Sequence, residues 1–135
     1  MQNPLVVIAA PTHPLAHEHK IKPARLGQEY FLLREQGSGT RDVVERFFLG
    51  HHVALPKNMH MESNEAIKQS VQAGMGIGII SRHGIELELE TRRLSILDVE
   101  GFPIMRHWHI VHRKHKRLSS AAHAFKKFLL AEASV

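Results

Sequence analysis

Residues 30–41 read Tyr-Phe-Leu-Leu-Arg-Glu-Gln-Gly-Ser-Gly-Thr-Arg, and this stretch decides the fold. Its apolar start, residues 30–33, indicates a buried strand. A loop with two glycines follows, and residues 41–49 then repeat apolar side chains at helical spacing. A strand that leads through such a loop into a helix start favours anion binding. The reason is that the N–H groups of a first helical turn have no partner inside the helix, and the helix dipole adds to their attraction.

The loop itself supplies polar groups for such a site. Ser38 and Thr40 offer hydroxyls, and Gly39 allows a ligand to approach the backbone closely. The loop is not a P-loop, because the Gly-Lys-Ser/Thr ending is missing, and it lacks the third glycine of a dinucleotide fingerprint. A tight turn that needs two glycines remains the alternative interpretation.

A second helix start follows another predicted strand. Residues 59–63 alternate in polarity as a strand does, and Ser63 or Asn64 then caps a helix that extends to Gly74. Loops after the carboxyl ends of strands line one crevice in an open α/β sheet, so both helix starts are expected to face the same ligand. Asn64 carries a donor and an acceptor for a polar metabolite, although a plain helix cap is the alternative.

The rest of the chain alternates between strands and helices. The apolar run Leu5–Ala10 is typical of a strand buried on both faces, as in a parallel sheet. Glycines 74, 76 and 78 indicate tight packing between a helix and a strand. Further strands are predicted at residues 77–81, 94–99 and 105–112, and helices at 82–90 and from residue 119 or 120 onward. The last helix carries a predicted core-facing stripe of Ala122, Phe125, Phe128 and Leu129. This alternation predicts an α/β fold with mainly parallel pairing.

Composition limits the possible classes of function. The 135 residues suffice for one ordinary domain with a real core, and the absence of cysteine excludes disulfides and thiolate chemistry. The chain contains no long apolar run and no secretory signal, so we expect a soluble, cytoplasmic protein that does not enter a membrane. The net charge of +5 is concentrated in residues 106–127, which contain no acidic residue. Such a stretch is either a solvated face or a surface for nucleic acid or an anionic metabolite.

The sequence contains twelve histidines, which do not indicate a metal site. We expect hydrogen-bonded or solvent-facing imidazoles, with no metal site and no cofactor. Ser38 has no base that the sequence places beside it, so no catalytic set is apparent and we expect no enzymatic activity.

Several motifs together resemble a known family. The effector-binding region of LysR-type transcriptional regulators is similar to residues 13–16, 37–41, 62–68 and 71–78. The branch that regulates the Rubisco operon of the Calvin cycle is similar to residues 31–35, 98–104 and 107–114.

The resemblance implies a type II periplasmic-binding-protein-like fold, in which two α/β subdomains joined by two crossing strands enclose an effector. Residues 1–12 would be a crossing strand from the first subdomain, and residues 13–93 the complete second subdomain. Residues 94–135 would be the return strand and the C-terminal part of a truncated first subdomain. The effector-binding residues would be Ser38, Gly39, Thr40, Arg41, Asn64 and Arg34.

The implied function is to sense a small anion, either a phosphorylated sugar or a nicotinamide dinucleotide phosphate, and so to regulate transcription of a carbon-fixation operon. Family members are about twice as long and bind DNA through a helix-turn-helix that this sequence lacks. We therefore expect a fragment or the product of a broken reading frame, which does not bind operator DNA by itself. We also expect a homo-oligomer in which another chain covers the exposed strand at residues 105–112. The alternatives are a solute-binding module of a transport system and an enzyme that acts on a phosphorylated substrate.

Overall fold

The computed structural model describes residues 2–132, which fold around one mixed five-stranded sheet. The strands are β1 (Leu5–Ala9), β2 (Phe31–Arg34), β3 (Asn58–Met61), β4 (Ile77–Ser81) and β5 (Ser95–Ile96), and their order in the sheet is β3-β2-β4-β1-β5. The α-helices are α1 (Pro23–Leu26), α2 (Gly39–Gly50), α3 (Asn64–Gln72), α4 (Glu86–Glu90) and α5 (Ser120–Glu132). Short 3₁₀ turns occupy Pro14–His17 and Arg82–Gly84.

The pairing within the sheet corrects part of the prediction. β2 is parallel to both β3 and β4, whereas β1 is antiparallel to both β4 and β5. Every residue of β1 is buried, as its continuous apolar run predicts. Such a run indicates burial on both faces but not the direction of the neighbouring strands, so the expectation of mainly parallel pairing was wrong for β1.

Alternate residues of β1 divide the core into two layers. On one face of the sheet, Val7 belongs to the cluster that contains Phe31 of β2 and Phe48 of α2, whose rings meet edge to face at 5.5 Å. On the other face, Ile8 belongs to the cluster that contains Ile67 of α3. The sheet therefore holds α2 and α3 on opposite faces, and both helices begin just after a strand ends.

Gly78 confirms the predicted close packing between helix and strand, whereas Gly76 packs against the backbone that leads into β2. A Cβ on Gly78 would stand 2.8 Å from Cγ2 of Ile67, and a Cβ on Gly76 would stand 2.5 Å from the carbonyl oxygen of Tyr30. Gly74, with φ at 77°, ends the α3 segment in a conformation that favours glycine.

The C-terminal third differs from the prediction. The expected strand at residues 94–99 forms a ladder only at Ser95–Ile96, and the expected helix at residues 82–90 divides into a 3₁₀ turn and α4. Residues 105–112 are not a strand: isolated bridges pair Ile104 with Leu5 and His107 with Gln2, and the segment then runs exposed. Without a neighbouring strand along its length, this segment has no ladder to join.

Helix α5 begins where the sequence predicts, but its apolar stripe does not face a core. Phe125 is 61% exposed and Phe128 is 59% exposed, and α5 has no buried residue. The helical period places these side chains on one face, yet the described residues provide no apolar surface that covers them. None of the helices within residues 2–132 has the length and apolar character needed to cross a membrane.

Candidate functional site

The structure brings the two predicted helix starts to one edge of the sheet. β2 and β3 are parallel neighbours, with Arg34 paired to Met61, so their carboxyl ends lie side by side. α2 begins five residues after β2, and α3 begins three residues after β3. Nη1 of Arg34 donates a hydrogen bond to Oδ1 of Asn64 over 3.2 Å and thereby joins the two loops.

The two helix starts differ in their capping. Oγ of Ser63 accepts a hydrogen bond from the backbone N–H of Ala66 over 3.1 Å, so α3 has a side-chain cap. Ser38 has the extended backbone of an N-cap residue, but its side chain makes no capping hydrogen bond to α2. Gly37, at φ 87°, provides the turn before it. Because Ser38 does not cap α2, the N–H groups of its first turn are better placed than those of α3 to interact with an anion.

Arg34 is held in place by its neighbour. Its Nε and Nη2 contact the two carboxylate oxygens of Glu35 at 2.7 and 2.8 Å. Hydrogen bonding to Glu35 raises the pKa of the Arg34 guanidinium above its ordinary value, and the same bonds lower the pKa of the Glu35 carboxyl. Much of the charge of Arg34 is therefore balanced locally, while its Nη1 remains directed at Asn64.

Arg41 is buried, with 5% of its surface exposed. Its Nε pairs with Oε1 of Glu45 at 2.7 Å, and its Nη1 donates to the carbonyl oxygen of Arg34 over 3.1 Å. These bonds give Arg41 a structural function, since they tie the first turn of α2 to the end of β2. Its predicted contact with an effector stays a prediction.

Arg106 is a residue of this site that the sequence did not reveal. Its Nη1 donates to Oγ1 of Thr40 over 3.1 Å, across 66 residues of sequence. Its backbone carbonyl oxygen accepts a hydrogen bond from the N–H of Asn3 at 2.7 Å, which fixes the segment that carries it beside β1. In the sequence Arg106 is only one of several cations in the basic stretch, and no local pattern distinguishes it.

Two hollows in the molecule do not include the six predicted residues. One, of about 520 Å³, lies along the C-terminal segment and is lined by Val111, His112, Arg113, Lys116, Arg117, Leu118, Ser119 and Ala122. The other, of about 280 Å³, is lined by Val6, Arg82, Ile96, Leu97, Asp98, Val99, Phe102 and Pro103. The second hollow lies at the carboxyl ends of β4 and β5, but the element that begins beside it is only the short 3₁₀ turn Arg82–Gly84. Because two α-helices begin at the β2–β3 edge, that edge is the better candidate for an anion site. Within residues 2–132, no three histidine or acidic side chains are grouped so that they could hold a metal ion.

Comparison with known proteins supports the sequence motifs. The model of the family described as LysR substrate binding domain matches residues 1–134. The chain is 57% identical over 134 residues to a RuBisCO operon transcriptional regulator of Allochromatium vinosum, covering 99% of this chain and 44% of that protein. It is 47% identical over 131 residues to the HTH-type transcriptional activator CmpR of Synechocystis, covering 97% of this chain and 43% of that protein.

Solved structures agree with the fold. The regulatory domain of CcmR from Synechocystis, determined in complex with 2-PG, superposes with a TM-score of 0.89 at 42% identity, covering 97% of this chain and 63% of that chain. The effector binding domain of QuiR, in complex with shikimate, superposes with a TM-score of 0.82 at 24% identity, covering 97% of this chain and 61% of that one. The chain thus has the type II periplasmic-binding-protein-like α/β fold of LysR regulatory domains. It spans less than half the length of the curated relatives named above.

Proposed function

Because this chain belongs to the LysR substrate binding domain family, we propose that it binds a small anionic effector for a transcription regulator of a carbon-fixation operon. The relatives are transcriptional regulators, which points away from an enzyme. Accordingly, we propose that the effector binds and is released without a chemical reaction. Such a regulator would act in the cytoplasm, where the chromosome is accessible to it.

One observation carries the assignment of the site: the hydrogen bond between Arg34 and Asn64 at the shared end of β2 and β3. It joins the loop of Ser38, Gly39 and Thr40 to the start of α3. An anion bound there would meet backbone N–H groups of α2, the Thr40 hydroxyl, and the amide of Asn64. Arg34 and Arg41 would set the shape of this surface, and Glu35 and Glu45 would balance part of the positive charge that they contribute.

The proposed effector class is a phosphorylated metabolite, either a sugar phosphate or a nicotinamide dinucleotide phosphate. The related CcmR domain was determined with 2-PG, which supports an effector of small size. A phosphate group presents several acceptor oxygens and about two negative charges, which suits a helix start beside arginines.

The proposed mechanism is a shift in population. Residues 1–12 and 94–135 would belong to one subdomain and its crossing strands, and residues 13–93 to the other. An effector held between them would favour one relative placement of the two units in a homo-oligomer. DNA would be bound only by a helix-turn-helix outside this sequence.

A thermal-shift titration of the 135-residue chain tests the site. The ligands are 2-PG, ribose 5-phosphate and NADPH, with ribose as the phosphate-free partner of ribose 5-phosphate. We expect a saturable rise in melting temperature with at least one phosphorylated ligand, because binding to the native state stabilises it, and no rise with ribose. Phosphorus NMR should show the spectrum of the unchanged ligand after incubation, whereas formation of a product would indicate an enzyme.

Two variants test whether the ligand-induced rise in melting temperature arises at the β2–β3 edge. Thr40→Ala and Asn64→Ala should lose the ligand-induced rise while retaining the circular dichroism of the parent. Thr12→Ala is the control, since Thr12 is exposed and lies in a turn of another part of the fold. If both site variants respond as the parent does, the site is wrongly assigned.

A further inference from the structure

Three arginines lie at the end of β2 or near the start of α2, and they differ in how their charge is balanced. Arg34 and Arg41 each pair with a glutamate at 2.7 Å. Within residues 2–132, Arg106 forms no ion pair, and its guanidinium bonds instead to the neutral hydroxyl of Thr40. The nearby sequence offers no acidic residue from 101 to 131. Arg106 therefore brings a positive charge to this edge that the described part of the chain does not neutralise.

That charge lies beside the start of α2. Nη2 of Arg106 lies 3.3 Å from the point where a Cβ on Gly39 would stand, so the guanidinium rests against the first residue of α2. A helix N-terminus carries a partial positive charge, and a cation beside it is disfavoured. The cap residue Ser38 provides no side-chain acceptor, and the acidic residue of the first turn, Asp42, forms no ion pair with Arg106. An anion held between the guanidinium and the helix start would interact favourably with both of these positive groups.

We infer that Arg106 is the specificity-determining cation of the site, which binds the phosphate group of the effector together with the first turn of α2. This inference rests on the proposed function and adds to it a residue outside the six that the sequence suggested. The planar guanidinium matches two oxygens of one phosphate at once, so it favours a phosphate over a neutral sugar hydroxyl.

The glycine at position 39 is consistent with this assignment. A side chain there would stand 3.3 Å from the Arg106 guanidinium and would occupy the surface between the cation and the helix. Glycine keeps the backbone of α2 accessible at the point where Arg106 approaches it.

The test measures binding of 2-PG to the whole chain by calorimetry, with inorganic phosphate as a competitor. Arg106→Gln removes the charge, and loss of a charge-assisted hydrogen-bonding partner should weaken binding of 2-PG by about tenfold to a hundredfold. Arg106→Lys keeps the charge but loses the planar fork, so it should restore part of that loss. Inorganic phosphate should compete with 2-PG in the parent and lose most of this effect in Arg106→Gln.

Arg113→Gln is the matched control. Arg113 lies in the same basic segment and is exposed, and its side chain makes no hydrogen bond or ion pair within residues 2–132. The control removes an equal charge and should bind 2-PG as the parent does. Equal weakening in both variants would mean that only the overall charge matters, which overturns the inference.

The remaining outcomes separate the inference from the proposed function. Parent-like binding by a folded Arg106→Gln overturns the role of Arg106 but leaves the effector site standing. If Arg106→Gln does not fold, Arg106→Lys decides: binding that equals the parent's with unchanged phosphate competition excludes recognition by the planar fork. If the parent binds neither 2-PG nor any other phosphorylated ligand of the thermal-shift series, the proposed effector class and the role of Arg106 fail together.

Discussion

The carbonyl oxygen of Arg34 accepts a hydrogen bond from the buried guanidinium of Arg41 over 3.1 Å. Arg34 is the last residue of β2, and Arg41 lies in the first turn of α2. The bond therefore closes the loop that carries Ser38 and Thr40 and fixes both of its ends. A loop held in this way is pre-organised for a ligand, which reduces the ordering cost of binding.

We predict that Arg41→Met lowers the free energy of unfolding by about 1–3 kcal/mol, because it removes the bond to the Arg34 carbonyl and the ion pair with Glu45. Glu45 is 44% exposed, so the ion pair accounts for the smaller share of this loss. Urea denaturation measures the change. Arg46→Met, on the exposed side of the same helix, should stay within about 0.5 kcal/mol of the parent. Equal losses in the two variants would contradict the structural role of Arg41.

The close approach of Gly76 to Tyr30 gives a second prediction. Gly76→Ala should destabilise the fold by about 1–3 kcal/mol, because its Cβ would stand 2.5 Å from a backbone oxygen that cannot move without disturbing β2. Gly84→Ala is the matched control, since a Cβ at Gly84 meets nothing within 4 Å. We expect it to be neutral or slightly stabilising. Thermal unfolding followed by circular dichroism distinguishes the two, and a Gly76→Ala variant as stable as the parent would exclude the tight packing.

The sequence predicted this fold best where the deciding signal is local. Residues 30–50 form a strand, a glycine turn and a helix because their apolar period and turn residues act over a few positions. The direction of β1 is not such a local property, since it depends on the path of the chain between β1 and its partners. The contact between Arg106 and Thr40 likewise joins residues that only the tertiary fold brings together.

The position of the two helix starts at one edge of the sheet could be predicted in part from the sequence. Each start could be recognised from its own residues, and the rule for loops at the ends of parallel strands placed them at one edge. That rule holds here because β2 and β3 are parallel neighbours, even though β1 is antiparallel. For α5, the helical period predicted which side chains share a face but contained no information on what covers that face.

The ion pair of Lys68 with Glu88 predicts how stability depends on pH. The hydrogen bond from Lys68 Nζ, at 2.8 Å, lowers the pKa of the Glu88 carboxyl below its ordinary value. A lowered pKa in the folded state adds stability above the unfolded value of about 4.3, and this is lost as the pH falls through the folded pKa. The parent should therefore exceed Glu88→Gln in stability at pH 7, and the two should converge on acidification below about pH 4.3.

Urea denaturation of both proteins between pH 3 and pH 7 measures this convergence. Glu90→Gln provides the control, because Glu90 is exposed on the same helix and forms no ion pair within residues 2–132. The difference between Glu90→Gln and the parent should stay small across the range. A constant gap between the parent and Glu88→Gln from pH 7 to pH 3 would show that the titration of Glu88 does not contribute.

The exposed apolar face of α5 predicts self-association of the chain. Phe125 and Phe128 are three residues apart, so their rings share one side of the helix, and both are more than half exposed. Large exposed apolar side chains grouped in this way favour burial against another surface, and a second copy is the partner present in a purified sample. Sedimentation velocity should show a mass above the monomer that rises with concentration, and replacement of both phenylalanines by glutamine should shift the species toward the monomer. Lys127→Gln, an exposed change on the same helix, should leave the distribution unaltered. A parent chain that sediments as a monomer at high concentration would mean that this face does not drive assembly.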